Sequence, residues 1–274
     1  MPLNSDDFAY IAKLIHDRSA IVLETGKEYL VESRLLPIAR NEGCASVADL
    51  VARLRSLSIN GLQQKVVEAM TTNETSFFRD LHPFETLKKT VLPELIAKRG
   101  DERKLNLWCA ASSSGQEPYT IALILCEHFP ALAHWTVRFL ATDLSQEMVE
   151  RARVGRYSQL EVNRGLPAPL LVKYFHRQGA EWRVKEELRR MVEFRQMNLV
   201  EAWPALPEMD VIFMRNVLIY FDVSTKKHIL AKVRRLLRPD GYLFLGAAET
   251  TLNLDDGFER MQFEKAGCYR LRNR

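Results

Sequence analysis

The sequence predicts an α/β protein in two parts: a small all-helical domain, then a doubly wound, Rossmann-like parallel sheet carrying a small antiparallel β insertion. Three observations predict it. Apolar residues recur at helical spacing through the first seventy residues, a strand-loop-helix pattern then repeats, and one β-rich stretch interrupts that repeat.

In the helical part, Phe8, Ile11, Leu14 and Ile15 follow a capping cluster, Asn4-Ser5-Asp6. Ser46 and Asp49 have the spacing of a capping box ahead of Leu50, Leu54 and Leu57. Between them GKEYLVESRLLPIARNEG reads as a helix with Pro37 as a kink and Gly43 as its stop, and a last helix runs from about Leu62 to Met70. Short amphipathic helices of this kind bury one stripe each and suit a small bundle.

Beyond them LNLWCA is an apolar run without alternation, as a buried parallel strand is, and SSSGQEPYTIALILCEHF turns into a helix with Pro118 in its first turn. WTVRFLATD followed by SQEMVERAR repeats the unit with Ser145 as N-cap, and MDVIFMRN followed by STKKHILAKVRRLL repeats it again. RPDGYLFLGAAE closes the last helix with a Pro-Asp-Gly turn into another strand. From about Leu160 to Gln196 the pattern breaks: GLPAPLL, a turn at Gly179, and strand-like runs in AEWRVK and MVEFRQM read as a β insertion. The expected organisation is a helical domain over 1–71, a linker over 72–84 and an α/β domain over 85–274, with the insertion at about 160–196.

Of the 274 residues 47% are hydrophobic, enough for one large core and one small one. No segment approaches the roughly 18 uninterrupted apolar residues that span a bilayer, and the opening MPLNSDDFAY has no basic start ahead of an apolar stretch, so the chain reads as cytoplasmic. Cys44, Cys109, Cys126 and Cys268 lie far apart without a CxxC pair, which points to reduced thiols. The six histidines show no metal spacing, so no metal is assigned. A net charge of +4 gives no strong electrostatic footprint for nucleic acid, so no nucleic-acid partner is expected, while a local basic face stays open.

Ligands of open α/β sheets bind outside the carboxyl ends of the strands, which directs attention to the residues just after LNLWC, RFLATD and DVIFM. AASSSGQEP, Ala110 to Pro118, offers small residues that let a ligand approach the backbone, and a helix N-terminus that favours an anionic group. Only Gly115 there is a glycine, so the GxGxxG turn of dinucleotide enzymes is missing and a dehydrogenase falls to third place. Asp143, at a strand end, is suited to accept from ribose hydroxyls; spacing leaves a helix-capping role beside Ser145 equally open. FMRNVLIYF sets Arg215, Asn216 and Tyr220 just past a third strand. A nucleoside with an amino-acid tail, such as S-adenosylmethionine, satisfies the first two sets without a pyrophosphate.

Taken together and in order, TTNETSFFRD, WCAASSSGQEPYTIA, ATDLSQEMVERARVGRY, FRQMNL, FMRNVLIYFD and LRPDGYLFLGAAE closely resemble the chemotaxis receptor methyltransferases, the CheR family, over nearly the whole chain. The resemblance implies a class I methyltransferase sheet and transfer of a methyl group from S-adenosylmethionine to glutamate side chains on the cytoplasmic helices of bacterial chemoreceptors, giving glutamyl methyl esters and S-adenosylhomocysteine. Carried onto this chain, the family's cofactor contacts are similar to Asn73, Thr75, Arg79, Glu117, Asp143, Asn198, Leu199, Arg215 and Asn216, with Arg79 and Tyr220 resembling the pair nearest the transferred methyl. The TTNETSFFRD joint would then form one wall of the cofactor cleft, with Phe77 and Phe78 as core. Without the family, Arg79 reads as one half of a surface ion pair with Asp80 or another acid.

The resemblance also implies a monomer recruited to membrane-bound receptor arrays, with a basic helix of the N-terminal domain facing acidic receptor helices; here that means Lys27, Arg34 and Arg40, diluted by Glu24, Glu28, Glu32 and Glu42. Some relatives carry a longer Gly-rich turn that grips a receptor pentapeptide. YFHRQGAEWRVKEEL is short, so no such tether is expected. The competing readings are a non-catalytic adaptor that binds S-adenosylmethionine and a methyltransferase acting on another acceptor.

Overall fold

The structure, a computed structural model, describes residues 3–56, 60–263 and 265–272; Leu57, expected on the third helix, lies outside them. By its contacts the chain divides into two compact units. One holds the residues up to Thr72 with Tyr220–Thr225, the other Asn73–Ile219 with Lys226–Arg274.

The first unit is built on α1 (Ser5–Ser19), α2 (Glu28–Asn41), α3 (Val47–Ser56) and α4 (Asn60–Ala69). Asn4 caps α1 as the sequence suggests, accepting from the Asp7 N–H at 2.8 Å, and ahead of α3 the Ser46 half of the expected capping box forms, Ser46 Oγ accepting from the Asp49 N–H at 3.1 Å. α2 runs on through Pro37, and Gly43, at φ 73°, follows its end. Ile11, Ile15, Val31, Leu35, Leu50, Leu54 and Val66 close a shared core. Burying each contributes about 1.5–3 kcal/mol, more than the intrinsic propensity of such short helices can.

The second unit opens with a helix that the periodicity reading leaves unassigned: α5 (His82–Thr86), a π turn (Leu87–Val91) and α6 (Leu92–Lys98). Phe84, Leu87, Val91 and Leu95 form its buried face, while Pro83, Pro93 and the Lys88-Lys89 pair break up the apolar signal. There follow β1 (Lys104–Ala110), α7 (Gln116–His128), β2 (Thr136–Asp143), α8 (Gln146–Val154), β3 (Arg156–Ser158), α9 (Gln159–Asn163) and α10 (Ala168–Tyr174). Then come β4 (Phe175–Gln178), β5 (Glu181–Val184), α11 (Glu186–Arg189), β6 (Glu193–Gln196), β7 (Met209–Met214), α12 (Val223–Leu236), β8 (Leu237–Leu245), β9 (Phe258–Arg260) and β10 (Gly267–Leu271).

Seven strands form one sheet in the order β6-β2-β1-β7-β8-β10-β9. The first five are parallel, and β10 runs antiparallel between β8 and β9. Chain order moves outward from β1 through β2 to β6 and returns at β7, so β1 and β7 flank the switch point where such sheets bind ligands. Phe84 stacks on Phe213 at 5.8 Å and Phe213 on Phe244 at 4.4 Å, which anchors β7 one residue before it leaves the sheet.

Two expectations need correction. MVEFRQM does not belong to the insertion: β6 pairs with β2 at the edge of the large sheet, and the separate antiparallel sheet is β3-β5-β4. A four-residue strand carries no pattern that selects its partner. The Pro-Asp-Gly segment is also not a turn ahead of a strand. β8 begins at Leu237, and the segment bulges out of it, because Leu237 pairs with Met209 and Tyr242 with Val211. The bulge presents Asp240 to the buried Arg99 at 2.5 Å.

Candidate functional site

The loop leaving β1 turns sharply. Ala111, Ser113 and Gly115 have φ of 54°, 48° and 96°, and a Cβ on Gly115 would come 2.9 Å from that of Ala152, so glycine is required there. The bonds that hold this loop gather segments far apart in sequence. The Ser113 N–H donates to Asp143 Oδ2 at 2.7 Å, and Ser113 Oγ donates to the Asn73 carbonyl at 2.8 Å. Asp143 Oδ1 accepts from the Ser145 N–H at 2.9 Å, while the Asp143 carbonyl accepts from the Met197 N–H at 2.8 Å. Four expected parts of the site, the joint at Asn73, the small-residue loop, Asp143 and the QMNL segment, thus meet in one chain of hydrogen bonds. Of the two roles open to Asp143, capping falls to Ser145, whose Oγ accepts from the Met148 N–H at 3.3 Å. Asp143 instead shapes the loop.

In QMNL, Asn198 is turned along its own loop: Nδ2 donates to Glu201 Oε1 at 3.0 Å and Oδ1 accepts from the Val200 N–H at 3.2 Å. Leu199 is buried.

A second cluster lies around Arg215, whose side chain is 1% exposed. Nη1 donates to Glu117 Oε2 at 2.5 Å, and Nη2 donates to Asp80 Oδ2 at 2.6 Å and to the Arg79 carbonyl at 3.1 Å. Charge-assisted bonds of this kind, buried on the Glu117 side and open to solvent at Asp80, lock the first turn of α7 to the Arg79-Asp80 peptide. Glu117 Oε1 accepts from the Cys109 thiol at 3.2 Å, and burial, reinforced by that carboxylate, pushes the thiol well above its usual range. The pairing of Arg79 with Asp80 does not form, because Arg215 takes Asp80. Arg79 curls back, Nη1 donating to the Glu74 carbonyl at 2.9 Å, and Phe78, Asp80 and Leu81 all have positive φ. Thr75 is half-buried in the same turn. Phe77 packs edge-on against Tyr157 and Phe175, at 5.1 and 5.7 Å, in the core of this unit.

Asn216, at φ 59°, begins the loop after β7, and sequence reasoning missed the group that holds it. The Glu249 carboxylate accepts four backbone N–H groups: Asn216 and Gly246 on Oε2 at 2.8 and 2.6 Å, Val217 and Leu218 on Oε1 at 2.8 and 2.7 Å. An acid following small residues at a strand's carboxyl end, in GAAE, is the signal that would have found it. Tyr220 belongs to the other unit, where its carbonyl accepts from the Val22 N–H at 3.0 Å and Phe221 pairs with Ile21.

These groups suit a nucleoside with a charged tail. Asp143 is an acceptor with about four lone-pair positions, and the buried loop beside it turns through Ala111, Ser113 and Gly115 ahead of a thirteen-residue helix. Ser112 Oγ, in that loop, is buried without a protein partner and offers a ligand a polar contact. Among the described residues no group of His, Cys, Asp and Glu is arranged to hold a metal, and no helix is long and apolar enough to cross a membrane.

Two family models divide the chain at the Thr72–Asn73 joint, as its contacts do, though the contacts also place Tyr220–Thr225 with the first unit. One, described as CheR methyltransferase, all-alpha domain, matches residues 6–71, and the other, CheR methyltransferase, SAM binding domain, matches 73–266. The chain is 42% identical over 270 residues to chemotaxis protein methyltransferase 1 of Pseudomonas aeruginosa, covering 97% of this chain and 98% of that one. It is 40% identical over 270 residues, with the same coverage, to chemotaxis protein methyltransferase Cher2 of Pseudomonas putida. To the chemotaxis protein methyltransferase of Vibrio parahaemolyticus it is 37% identical over 274 residues, covering 98% of both. With a sheet whose switch point assembles an acceptor, a turned loop and a helix N-terminus inside the matched SAM-binding region, this chain belongs to the CheR family of chemotaxis methyltransferases.

Proposed function

We propose that the protein transfers the methyl group of S-adenosylmethionine to glutamate side chains on the cytoplasmic helices of bacterial chemoreceptors, forming glutamyl methyl esters. The observation that carries the cofactor half is the hydrogen-bonded convergence of Asn73, Ser113, Asp143 and Met197 at the switch point. The acceptor half rests on the family and on relatives named for chemotaxis.

When bound, S-adenosylmethionine supplies a methyl group on a positively charged sulfur. A glutamate acceptor, with a reference pKa of about 4.3, is already the nucleophile at neutral pH, so the chain needs no general base. Its residues instead exclude water and align the acceptor, because neutralising two opposite charges is slowed by the solvent that stabilises them apart. Asp143 receives the ribose, and Asn198 and Leu199 border the adenine. Glu117 and Arg215 act here through the loop geometry they lock together, together with Asn216, Asn73 and Thr75. Arg79 positions the incoming carboxylate, since its bond to the Glu74 carbonyl leaves other guanidinium donors for it. Tyr220 shapes the methyl side.

For the receptor, Lys27 and the exposed Arg40 are the cations of the N-terminal domain that serve best. Arg34 is occupied, donating to the Met70 and Thr71 carbonyls at 2.8 and 2.9 Å at the end of α4. The two-residue turn between β4 and β5, where Gln178 pairs with Glu181, supports docking without a peptide tether. On this reading the protein works as a cytoplasmic monomer recruited to receptor arrays. The test is mass spectrometry of receptor peptides after incubation with the enzyme and S-adenosylmethionine. Methyl groups on glutamate carboxylates are expected; methylation confined to other side chains contradicts the proposal.

A further inference from the structure

Residues 197–208, between β6 and β7, contain no helix or strand, so the shape of the segment that carries Asn198 and Leu199 depends on side-chain anchors. Its start is pinned by the Met197 N–H on the Asp143 carbonyl. The stretch that follows is pinned from α12. Lys232 Nζ donates to the Leu199 carbonyl at 2.6 Å and to the Glu201 carbonyl at 2.7 Å, and sits 4.4 Å from the centroid of the Trp203 ring. Trp203 Nε1 donates to the same Leu199 carbonyl at 3.2 Å, and its ring packs edge-on against Trp108 at 4.9 Å. Trp108 in turn donates to Thr142 Oγ1 at 3.0 Å, on the residue before Asp143. No carboxylate oxygen lies within ion-pair reach of this ammonium among the described residues, so its charge is spent on two peptide dipoles and an aromatic face.

We infer that Lys232 is a positioning residue for the adenine side of the cofactor site: through the Leu199 and Glu201 carbonyls and the Trp203 ring it holds the 198–203 loop in its binding shape. The inference rests on the reading that Asn198 and Leu199 border the cofactor. A lysine that served only to cover apolar surface would lay its stem down and leave its head in water. Here the head is drawn inward, and α12, which otherwise buries Ile229, Leu230 and Val233, sends a charged group to a loop carrying cofactor residues.

The placement has a cost that makes it measurable. Burial pushes the amine down to about 8, partly offset by Glu201, the charged group that bears on it from the loop; on its own helix His228 and Arg235 are the neighbours at one turn. The folded protein therefore holds the ammonium below about pH 8 and releases its proton as pH rises through that value. A neutral amine still donates hydrogen bonds but loses its attraction to the ring and the dipoles.

Two measurements test this on the full chain. Calorimetric binding of S-adenosylhomocysteine at pH 7 is expected to weaken about tenfold in Lys232→Met, the scale of losing one set of charge-assisted contacts, and to be largely kept in Lys232→Arg. The ligand's own amine titrates alike with every variant, so the comparison is the ratio to wild type across pH. That ratio should shrink toward one above about pH 8 for Lys232→Met, as the wild type loses its charge. In the protein without cofactor, tryptophan fluorescence is expected to titrate with a midpoint near 8, and the titration should vanish in Lys232→Met and in Trp203→Phe. Equal affinities of wild type and Lys232→Met, or a flat fluorescence profile in wild type, overturns the inference. If wild type itself binds no S-adenosylhomocysteine, the cofactor reading fails first, and the fluorescence titration still decides whether Lys232 holds the loop. Should Lys232→Met fail to fold, the wild-type and Trp203→Phe titrations carry the test.

Discussion

The loops that leave β1 and β7 flank the same switch point, both contain non-glycine residues at positive φ, and each is held by a buried carboxylate at the carboxyl end of a neighbouring strand. The two acids are used differently. Glu249 spends its acceptor positions on four backbone N–H groups, so it is a scaffold. Asp143 accepts the Ser113 and Ser145 N–H groups, and in the proposed function it also meets the ribose. The same residue chemistry thus serves purely to fold one loop, and both folds and equips the other.

Substitutions at five residues, one of them in a double-mutant cycle, challenge this difference. The largest effect is expected at Arg215→Met, which leaves Glu117 buried beside Asp80 without a cation and costs about 3–5 kcal/mol; for an α/β unit of this size that lowers Tm by roughly 10 °C. Adding Glu117→Gln to it should restore part of the loss, and strict additivity in that cycle would mean the pair is not coupled. Next comes Glu249→Ala, expected to cost about 2–4 kcal/mol by stranding the loop amides. Its cofactor affinity should fall only as far as the loop unfolds, so a wild-type melting curve would show that the nest is not structural. Asp143→Asn reverses the balance: a stability loss of about 1 kcal/mol, and affinity for S-adenosylhomocysteine down about 10- to 100-fold by calorimetry. Comparable effects on melting and binding would erase the distinction drawn between the two acids. Smallest in structural terms are Arg79→Ala and, two residues beyond the β7 loop, Tyr220→Phe. Both should melt like wild type, with turnover down about 10-fold or more and cofactor affinity little changed; equal loss of turnover and affinity contradicts a positioning role.

Much of this was legible because it is local. LNLWCA, RFLATD and DVIFM are apolar runs of strand length, and each is followed by the small or polar residues that a strand end presents to a ligand. Asp143 could be singled out because it terminates such a run. Arg215 could be placed at the site but not understood there, since its partners are Glu117 and Asp80, 98 and 135 residues away. Glu249 was hidden for the same reason, its loop lying 31 to 33 residues upstream. β6 is legible as a strand but not as a strand of the large sheet, and the period of His82–Lys98 is blurred by prolines and paired lysines. In each case the deciding interaction is tertiary, and no spacing rule within a window carries it.

The acceptor proposed for this enzyme is a carboxylate, and the chemistry of the product tests that most directly. Receptor-bearing membranes are incubated with the enzyme and S-adenosylmethionine labelled in its methyl group, and the receptor band is then treated with base. A glutamyl methyl ester hydrolyses and releases labelled methanol, with wild type well above Arg79→Ala, which is the predicted result. Absence of label in the receptor under conditions where S-adenosylhomocysteine binds, or label that resists base, would contradict it.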